Sequence, residues 1–491
     1  MNYVAGLDIG TTGAKIVLFK TSGELVDKFY RPYPSSRGSS GHEMDPLAIK
    51  ESVLALVKDV LQECPDLLGI GVTSFGESFV CLDENDEPLF PILLYTDPCG
   101  EEEAKLLTSK LGEKAIERKT GLKPHAMYSL PKLAYLKNHD SETFSKVKKV
   151  FLMEDYAIYL LSGKRGIDPS LASRTLGYNV EKNCYDQEIF DALGIDPSLF
   201  PPILPSGSPI RGLKKELAES KEDFILSPCG HDQFACALGS GVVNQGEAME
   251  GAGTVESLIP CFNGEASSNL SEDCFNLVPY FDIGHLTYAF SYTGGACADW
   301  FLKAFCSEEE RKDPKIHERL SSHYNGRPTG MLWLPHFAGA ATPYMDLGSK
   351  ACCLGMDLST RREDFYLAVL EGVAYELKVN LDALNKHGVP VERLIASGGG
   401  SKNPVWNQIK ADVTGLPLYL LEGEEAGCRG SAMLVSVASG CYPSLKEAMD
   451  AFVHVKKIVK PNPEAREAYA KMYRRYARVY KAVRPLMEDE Q

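Results

Sequence analysis

The chain opens with Tyr3-Val-Ala-Gly-Leu-Asp-Ile-Gly-Thr-Thr-Gly-Ala-Lys-Ile-Val-Leu-Phe19, two apolar runs on either side of a short turn of small residues. The first run, Tyr3–Ile9, and the second, residues 14–19, predict two buried strands, because apolar and β-branched residues are bounded by turn residues. Residues 10–13 supply the turn between them. The sequence therefore predicts a β-hairpin with a polar tip at the start of the chain.

The segments after this hairpin indicate an α/β layered fold. A further strand is predicted near residues 24–30. Asp45 followed by Pro46 is typical of a helix start, and apolar residues follow it at helical spacing. A strand at residues 68–73 then returns to the sheet. Three strands, a helix and another strand are the order expected of an α/β architecture.

The later part of the chain repeats part of this order and then turns helical. Strands are predicted at residues 224–229, 248–250 and 257–261, with a glycine turn at 251–254. The elements predicted after them are a helix at 361–386, a strand at 393–396, and helices at 404–414, 427–439 and 463–486. Because 491 residues exceed what one hydrophobic core usually supports, we expect two domains, 1–244 and 245–491.

Composition and charge exclude several classes of protein. The formal net charge of −15 argues against a nucleic-acid partner, because binding a phosphate backbone requires clustered Lys and Arg. The 14 cysteines show no CxxC spacing, which predicts reduced thiols rather than a zinc or redox site. The start of the chain lacks the basic segment of a secretory signal, and no apolar run is long enough to span a membrane. We therefore expect a cytoplasmic protein with no membrane partner.

Asp8 and the turn that follows it are candidates for binding phosphate. The backbone N–H groups of a tight turn can converge on an anion, and the acid stands at the end of the strand. An ordinary hairpin explains the same residues equally well, because any tight turn favours glycine. Gly253 and Thr254 form a second turn of this kind in the later half. The chain has no Walker A sequence and no complete GxGxxG fingerprint, which excludes P-loop chemistry and weakens the case for a nicotinamide enzyme.

A candidate base lies in Gly230-His-Asp-Gln233, where an acid follows a predicted strand. Asp232 could accept the proton of an attacking hydroxyl group, and Gln233 could hold the same substrate. Taken alone, an acid after glycine is more often a helix cap, and His231 is given no role. Further along, a strand enters the glycine tract 398–400, whose bare backbone can approach a flat ring. A flexible connector is the alternative interpretation of this tract.

Taken in order, these segments resemble the FGGY family of carbohydrate kinases, which belongs to the superfamily of sugar kinases, heat-shock chaperones and actin. The resemblance covers nearly the whole chain: residues 8–12 and 253–254 resemble its phosphate loops, 230–233 its catalytic segment and 398–403 its adenosine segment. Shorter signatures fall in the same order, among them Asp168 before Ala172-Ser173. The resemblance implies two ribonuclease-H-like, actin-like ATPase domains flanking a central cleft, the first mainly for the sugar and the second mainly for the nucleotide.

The resemblance also implies ATP as phosphoryl donor, Mg²⁺ as cofactor, a small sugar or polyol as acceptor, and Asp232 as catalytic base. A homodimer is one option for the assembly. The residues that it assigns are Glu77, Asp97, Tyr128, Asp232 and Gln233 for the substrate; Gly10, Thr11, Thr12, Gly13, Lys15, Gly253, Thr254, Gly398, Gly399, Gly400 and Asn403 for ATP; and Asp8 and Asp232 for the metal. For Lys15, alternation along the strand leaves a surface role equally open.

The sequence departs from the family's pattern where substrate is recognised. Gly76-Glu77 stands where glycerol kinases have Arg-Glu, and Met127 stands at their aromatic position. Tyr95-Thr-Asp97 stands where many relatives have Trp-x-Asp. We expect the missing side chains to leave room for a ketose, polyol or sugar acid longer than glycerol.

Two other functions stay open on the sequence. One is a non-metabolic ATPase of the actin or chaperone type, which residues 8–13 do not distinguish from a kinase. The segment 230–233 favours the kinase. The other is a sugar-binding regulator on the same fold, which the presence of both Asp8 and Asp232 makes the least favoured.

Overall fold

The computed structural model describes residues 2–38, 41–218, 221–263 and 270–487. These residues form two compact units. The first comprises the chain up to Gly241 together with Leu277–His285 and Glu425–His454, and the second comprises Val242–Asn276, Leu286–Glu424 and the chain from Val455. The predicted boundary at residue 244 lies close to Gly241, where the chain first passes from the first unit to the second. Two later segments, Leu277–His285 and Glu425–His454, also belong to the first unit although they follow this boundary in the sequence.

The regular elements are numbered in chain order. The strands are β1 (Tyr3–Ile9), β2 (Gly13–Lys20), β3 (Leu25–Pro32), β4 (Ser35–Gly38), β5 (Gly41–Met44), β6 (Leu67–Ser74), β7 (Phe79–Leu82), β8 (Ile92–Leu93), β9 (Lys149–Leu152), β10 (Tyr178–Asn179), β11 (Cys184–Tyr185), β12 (Ile210–Arg211), β13 (Ile225–His231), β14 (Glu247–Ala252), β15 (Glu256–Phe262), β16 (Val278–Tyr280), β17 (Gly284–Leu286), β18 (Ala289–Ser291), β19 (Leu332–Leu334), β20 (Cys352–Leu354), β21 (Arg393–Ser397), β22 (Leu418–Leu421) and β23 (Val455–Val459). The helices are α1 (Pro46–Glu63), α2 (Glu101–Leu111), α3 (Glu113–Thr120), α4 (Ser129–His139), α5 (Ser141–Phe144), α6 (Met153–Ser162), α7 (Pro169–Ser173), α8 (Gln187–Leu193), α9 (Asp232–Gly239), α10 (Gly295–Phe305), α11 (Glu308–Arg311), α12 (Ile316–Ser321), α13 (Arg362–Lys386), α14 (Pro404–Thr414), α15 (Ala426–Ala438), α16 (Leu445–Phe452), α17 (Pro463–Tyr476) and α18 (Val479–Val483). Among the residues described, no helix combines the length and the apolar character that crossing a membrane requires.

The first unit is built on a six-stranded sheet in the order β12-β13-β6-β1-β2-β3. The predicted hairpin is present: β1 and β2 pair antiparallel from Tyr3 opposite Lys20 to Ile9 opposite Ala14. β3 continues the antiparallel meander, whereas β6 lies parallel to β1 and β13 lies parallel to β6. β12 closes the order as an antiparallel edge strand.

The second unit repeats this succession of strand directions. β18 and β15 pair antiparallel, as do β15 and β14. β14, β21 and β22 are parallel neighbours, and β23 is antiparallel to β22. Both sheets therefore contain two antiparallel pairs, two parallel pairs and a final antiparallel pair, which is the ribonuclease-H-like order. The predicted partial repeat is confirmed for the strands at 248–250 and 257–261, but the strand with which it was expected to begin, at 224–229, is β13 of the first sheet.

Successive residues of β1 face opposite sides of the first sheet. Ala5, Leu7 and Ile9 are fully buried and share one apolar core with the buried face of α1. Gly6 lies between them and faces α15, where a Cβ would stand 2.0 Å from the carbonyl oxygen of Cys428. Glycine is therefore required for α15 to lie this close to the strand.

The end of the chain differs from the prediction. A single helix was expected over residues 463–486, but α17 and α18 are separate. Tyr480 donates its hydroxyl to Oδ2 of Asp346 at 2.9 Å, and Arg484 donates to Oδ1 of the same carboxylate at 3.2 Å. These two bonds, to a residue distant in sequence, fix the direction of the last segment and override its local helical preference.

Candidate active site

Asp8 lies near the end of β1, opposite Lys15 of β2 in the antiparallel ladder. The Nζ atom of Lys15 is 3.6 Å from Oδ2 of Asp8 and 2.6 Å from Oε2 of Glu425, the residue before α15. Burial raises the pKa of Asp8, and the positive charge of Lys15 opposes that rise. The lysine that was predicted to reach phosphates is thus held between two carboxylates and is partly exposed.

Gly10, Thr11, Thr12 and Gly13 form the hairpin tip at the end of β1. The N–H of Gly10 donates to the carbonyl oxygen of Gly13 at 3.0 Å. Tyr33 closes the tip from beyond β3, because its N–H donates to the carbonyl oxygen of Thr12 at 3.2 Å and its hydroxyl to that of Gly10 at 2.5 Å. The backbone of the tip is therefore held by hydrogen bonds, and its role as a phosphate loop stays a prediction.

Asp232 is the first residue of α9, directly after β13. The helix cap is His231, whose Nδ1 accepts the N–H of Gln233 at 3.3 Å. Oδ1 of Asp232 accepts the same N–H at 2.6 Å. The cap position belongs to His231, so the alternative interpretation of Asp232 as a simple helix cap does not describe its place. Gln233 is partly buried beside it.

The surroundings of Asp232 favour its neutral form. Burial raises the pKa of Asp232 to about 8, and the negative charges of Asp8 and Glu77 add to the rise. The backbone hydrogen bond that it accepts and the guanidinium of Arg174 oppose it. Burial, helped by Arg174, holds the pKa of His231 well below its usual range, so this ring is neutral. A carboxylate whose pKa is raised in this way is a better proton acceptor than a free one.

Buried side chains fix the backbone that leads into Asp232. The N–H of Gly230 donates to the carboxylate of Glu154, and the hydroxyl of Thr73 donates to the carbonyl oxygen of Gly230 at 2.7 Å. Gly230 has φ of +80°, and a Cβ there would stand 2.2 Å from Oγ of Ser170, so glycine is required. The same hydroxyl oxygen of Ser170 accepts the N–H of His231 at 3.1 Å. The candidate base therefore starts from a constrained position.

Glu77 pairs with Arg174, a residue that sequence analysis did not single out. Nε of Arg174 donates to Oε1 of Glu77 at 2.6 Å, and Nη2 donates to the same oxygen. The guanidinium carbon lies 5.2 Å from the ring centroid of the buried Tyr128. Glu77, Tyr128 and Asp232 are thus brought together in the first unit. The sequence could have suggested Arg174, because it directly follows Ser173 in a segment that already resembled the family.

The space that Gly76 was predicted to leave open is filled. A Cβ at this position would stand 2.8 Å from Cδ2 of His231 and 3.0 Å from Cγ of Arg174. The prediction of vacated volume at Gly76 is therefore wrong, because Arg174 reaches across it from the end of α7. Met127 is partly buried against the apolar core of the same unit. The expectation of a substrate longer than glycerol loses its support at Gly76.

Asp97 is buried, and both of its carboxylate oxygens accept backbone hydrogen bonds. Oδ2 accepts the N–H of His42 at 3.0 Å, and Oδ1 accepts that of Cys99 at 2.9 Å. Burial alone would raise the pKa of Asp97, but these bonds and the ammonium of Lys132 together lower it. The geometry gives Asp97 a turn-forming role, and its contact with substrate stays a prediction.

Tyr95 is a second residue that sequence analysis left out of the site. The residue is 41% exposed. Burial raises the pKa of Tyr95, and the negative charges of Glu77 and Asp232 raise it further, which places the phenol within their electrostatic reach. The sequence could have suggested Tyr95, because it occupies the aromatic position of the Trp-x-Asp pattern.

In the second unit, the glycine tract lies against the end of β14. A Cβ on Gly398 would stand 2.8 Å from the carbonyl oxygen of Ala252, and one on Gly400 would stand 2.5 Å from the Cβ of Ala252. A Cβ on Gly399 would meet nothing within 4 Å, so the backbone there is open. Gly399–Lys402 forms a turn of 3₁₀ helix. This packed turn favours an ordered segment over a flexible connector.

The second predicted phosphate turn lies next to this tract. Gly251 of β14 pairs with Ser397 of β21, so the turn after β14 and the glycine tract leave the sheet from neighbouring strands. The N–H of Gly253 donates to the carbonyl oxygen of Val255 at 3.0 Å, with Thr254 at the apex. The assignment of Gly253 and Thr254 to ATP stays a prediction.

Asn403 begins α14. Its Oδ1 accepts the N–H of Val405 at 3.0 Å and that of Trp406 at 3.2 Å, which is the geometry of a helix cap. The amide oxygen is therefore used within the protein, and a contact of Asn403 with ATP stays a prediction.

No group of three or more His, Cys, Asp or Glu side chains that could hold a metal ion occurs among the described residues. Asp8 and Asp232 nonetheless fit a Mg²⁺ ion, because carboxylate oxygens are the protein ligands that this ion prefers. Mg²⁺ is commonly bound through one or two carboxylates together with substrate phosphates and water.

Comparison with known proteins identifies the family. The profile described as the FGGY family of carbohydrate kinases, N-terminal domain, matches residues 3–239, and that of the C-terminal domain matches residues 261–439. The chain belongs to the FGGY family of carbohydrate kinases. Its members are ATP-dependent phosphotransferases with a hydroxyl group as acceptor, so this FGGY kinase is an enzyme of that class. The predicted family and enzyme class are confirmed.

The relatives named here match more than nine-tenths of this FGGY kinase. A xylulose kinase of Staphylococcus xylosus is 25% identical over 98% of this chain and 100% of that protein. A gluconokinase of Bacillus subtilis is 27% identical over 91% of this chain and 90% of its own. The crystal structure of a gluconate kinase from Lactobacillus acidophilus has a TM-score of 0.89 at 23% identity and covers 98% of each chain. The predicted α/β fold of two actin-like ATPase domains is confirmed.

Proposed function

We propose that this FGGY kinase transfers the γ-phosphoryl group of ATP to a hydroxyl of a ketose, polyol or sugar acid, with Asp232 as general base. The setting of Asp232 is the observation that carries this proposal. Its backbone is fixed, burial raises its pKa to about 8, and Asp8 and Glu77 act on it within the same unit. A base of this kind takes the proton of the attacking hydroxyl as that oxygen bonds to phosphorus.

Around the base, the first unit offers groups that suit a polyhydroxylated substrate. Glu77 accepts a hydrogen bond from one hydroxyl, and Gln233 bonds another beside the base. Tyr128 supplies a buried aromatic wall. Asp97 supports this site through the turn that it forms or through a hydroxyl contact. The relatives named above act by their names on xylulose, a neutral ketose, and on gluconate, a sugar acid.

The phosphates of ATP lie, in this proposal, at the hairpin tip 10–13 and at the turn of Gly253 and Thr254. Backbone N–H groups of such turns bind anions, and Lys15 adds a positive charge. Asp8 and Asp232 hold Mg²⁺, directly or through water. When bound, Mg²⁺ neutralises the charge that develops on the phosphate oxygens.

The adenosine of ATP lies, in this proposal, against the glycine tract 398–400 and the residues up to Asn403. The open backbone at Gly399 supports this assignment, because a flat ring can approach a main chain that carries no side chain. Cytoplasmic location, a homodimeric assembly, the lack of a nucleic-acid partner and the functions given to domains 1–244 and 245–491 stay predictions.

The substitution Asp232→Asn tests the base. The amide keeps the shape of the side chain and removes the proton acceptor, so kcat should fall by about 10²–10⁴-fold. Calorimetry should find ATP binding retained. The matched control is Asp59→Asn, which changes an exposed carboxylate paired with Arg31 and should leave kcat unchanged. A variant at Asp232 that keeps more than about a tenth of the wild-type kcat is incompatible with a general base.

A further inference from the structure

A buried ion pair stands beside the candidate base. The side chains of Arg174 and Glu77 are only 10% and 6% exposed. Nε and Nη2 of Arg174 both donate to Oε1 of Glu77. The second oxygen, Oε2, accepts neither of these two bonds.

The backbone around this pair is locked. Glu77 has φ of 66°, a left-handed conformation that is uncommon for a residue with a side chain. Its carbonyl oxygen accepts the hydroxyl of Ser129 at 2.7 Å, and the N–H of Ser129 donates to the carbonyl oxygen of Arg174 at 3.4 Å. The ring of Tyr128 lies against the guanidinium. The pair is therefore preorganised, and Arg174 cannot turn toward another anion without leaving these contacts.

A second cation near the base is also engaged. Lys15 lies 2.6 Å from a carboxylate oxygen of Glu425 and 3.6 Å from one of Asp8. Arg174 and Lys15 therefore each already face a carboxylate.

The carboxylate of Glu77 and its pairing with Arg174 distinguish neutral substrates from acidic ones. A hydroxyl can donate to Oε2 of Glu77 without adding charge. A substrate carboxylate placed beside Glu77 would bring two carboxylates together, and Arg174, the cation that contacts Glu77, already bonds the other oxygen of that residue. Like charges brought together discriminate strongly against a ligand.

We propose that the Glu77–Arg174 pair makes the acceptor site selective for neutral polyols and ketoses and against sugar acids, with Arg174 as the residue that positions and neutralises Glu77. This inference rests on the proposed kinase function and narrows its substrate class. Glu77 contacts the substrate, and Arg174 acts through Glu77.

The test uses pairs of acceptors with the same carbon chain, in which one terminal hydroxymethyl group is replaced by a carboxylate: glucitol against gluconate and xylitol against xylonate, each with ATP and Mg²⁺. The quantity measured is the ratio of kcat/KM for the neutral member to that for the acid. In the wild type this ratio should be at least about tenfold in favour of the neutral member. In Glu77→Gln, which leaves the charge of Arg174 unbalanced, the ratio should fall at least about tenfold.

Arg174→Met provides the opposite change. It leaves Glu77 uncompensated, so KM for the neutral member should rise while the ratio stays at or above that of the wild type. Loss of packing alone would lower activity on both members equally and leave the ratio unchanged in both variants. Glu102→Gln, which alters an exposed carboxylate paired with Lys105, is the matched control and should change neither quantity.

Three outcomes would overturn the inference. The first is a wild type that prefers the acids, and the second is an active Glu77→Gln with an unchanged ratio. The third outcome applies if Glu77→Gln does not fold: it is a kcat/KM ratio in Arg174→Met that is lower than that of the wild type. A protein that phosphorylates neither these acceptors nor any ketose would instead contradict the proposed function, and the inference would fall with it.

Discussion

Glu371 is a fully buried acid on α13 in the second unit. Its carboxylate accepts the N–H of Thr329 at 3.0 Å, the hydroxyl of Thr329 at 2.7 Å and the hydroxyl of Tyr469 at 3.0 Å. Burial raises the pKa of Glu371 to about 7, and these three hydrogen bonds oppose the rise. The folded protein therefore binds the proton of Glu371 more tightly than the unfolded chain does.

This pKa predicts how stability changes with pH. Because the folded pKa is raised, the contribution of protonated Glu371 is fully present below about pH 4.5 and is lost as the pH rises through about 7. Glu371→Gln cannot titrate. Its free energy of unfolding relative to the wild type should therefore increase between pH 5 and pH 8, by as much as about 3 kcal/mol. Urea unfolding at several pH values measures the difference.

The control for this change is Glu467→Gln on α17, which alters an exposed carboxylate paired with Lys471. Its free energy of unfolding should differ from that of the wild type by a nearly constant amount across the same pH range. If Glu371→Gln also differs from the wild type by a constant amount, Glu371 is ionised in the folded protein at pH 5, and burial does not control its proton.

Single residues show what the sequence could and could not predict. Asp232 was predicted because its neighbours, Gly230 and Gln233, are adjacent in sequence. Arg174 was not, because its partner Glu77 lies far away in the chain and only folding brings them together. Gly76 led to a wrong conclusion for the same reason, since the atoms that fill its space belong to Arg174 and His231.

Among the elements, the 3₁₀ turn Gly399–Lys402 gives a direct test of the nucleotide site. Gly399→Val should leave the fold intact, because a Cβ there meets nothing within 4 Å. It should weaken ATP binding by at least about tenfold, or about 1.4 kcal/mol, because the branched side chain would stand where the adenosine approaches. The affinity for the sugar should be unchanged.

Calorimetry with ATP and with the sugar separates these two effects, and thermal unfolding of the same variant serves as the control for the fold. An unchanged Kd for ATP in a variant of normal stability would mean that the tract only connects β21 to α14.

Local pattern predicts an element best when its cause is local. β1 has the predicted ends, and α14 spans Pro404–Thr414 as expected, since proline begins it and glycine follows it. For α17 the sequence predicted a helix but not what its hydroxyl groups bond. Tyr469 and Tyr476 donate to Glu371 and Glu376 of α13. Such pairs lie about a hundred positions apart, which periodicity does not reveal.

At the scale of the whole molecule, two units with the same strand order carry different candidate groups. The acids and Arg174 lie in the first unit, and the glycine tract lies in the second. Hydrogen exchange measured by mass spectrometry should reflect this division. A neutral polyol alone should slow exchange at residues 74–79 and 128–133, whereas ATP alone should slow it at 8–14, 250–258 and 396–404.

The wild type without ligand is the reference for both measurements, and a polymer of similar viscosity controls for non-specific effects. Protection by ATP that leaves residues 250–258 and 396–404 unchanged would contradict the assignment of the nucleotide to the second unit. Protection of the same peptides by polyol alone would contradict the assignment of the sugar.

The first unit is completed by a distant part of the chain, and this has a consequence for biosynthesis. The strands β1 and β6 leave the ribosome early, but α15, which lies against Gly6, begins only at Ala426. Roughly 180 residues separate Gly241 from Glu425, and at about 5–20 residues per second their translation takes on the order of ten to forty seconds. Throughout that interval the surface of β1 that contacts α15 is uncovered, and we expect the nascent polypeptide to bind chaperones until α15 emerges.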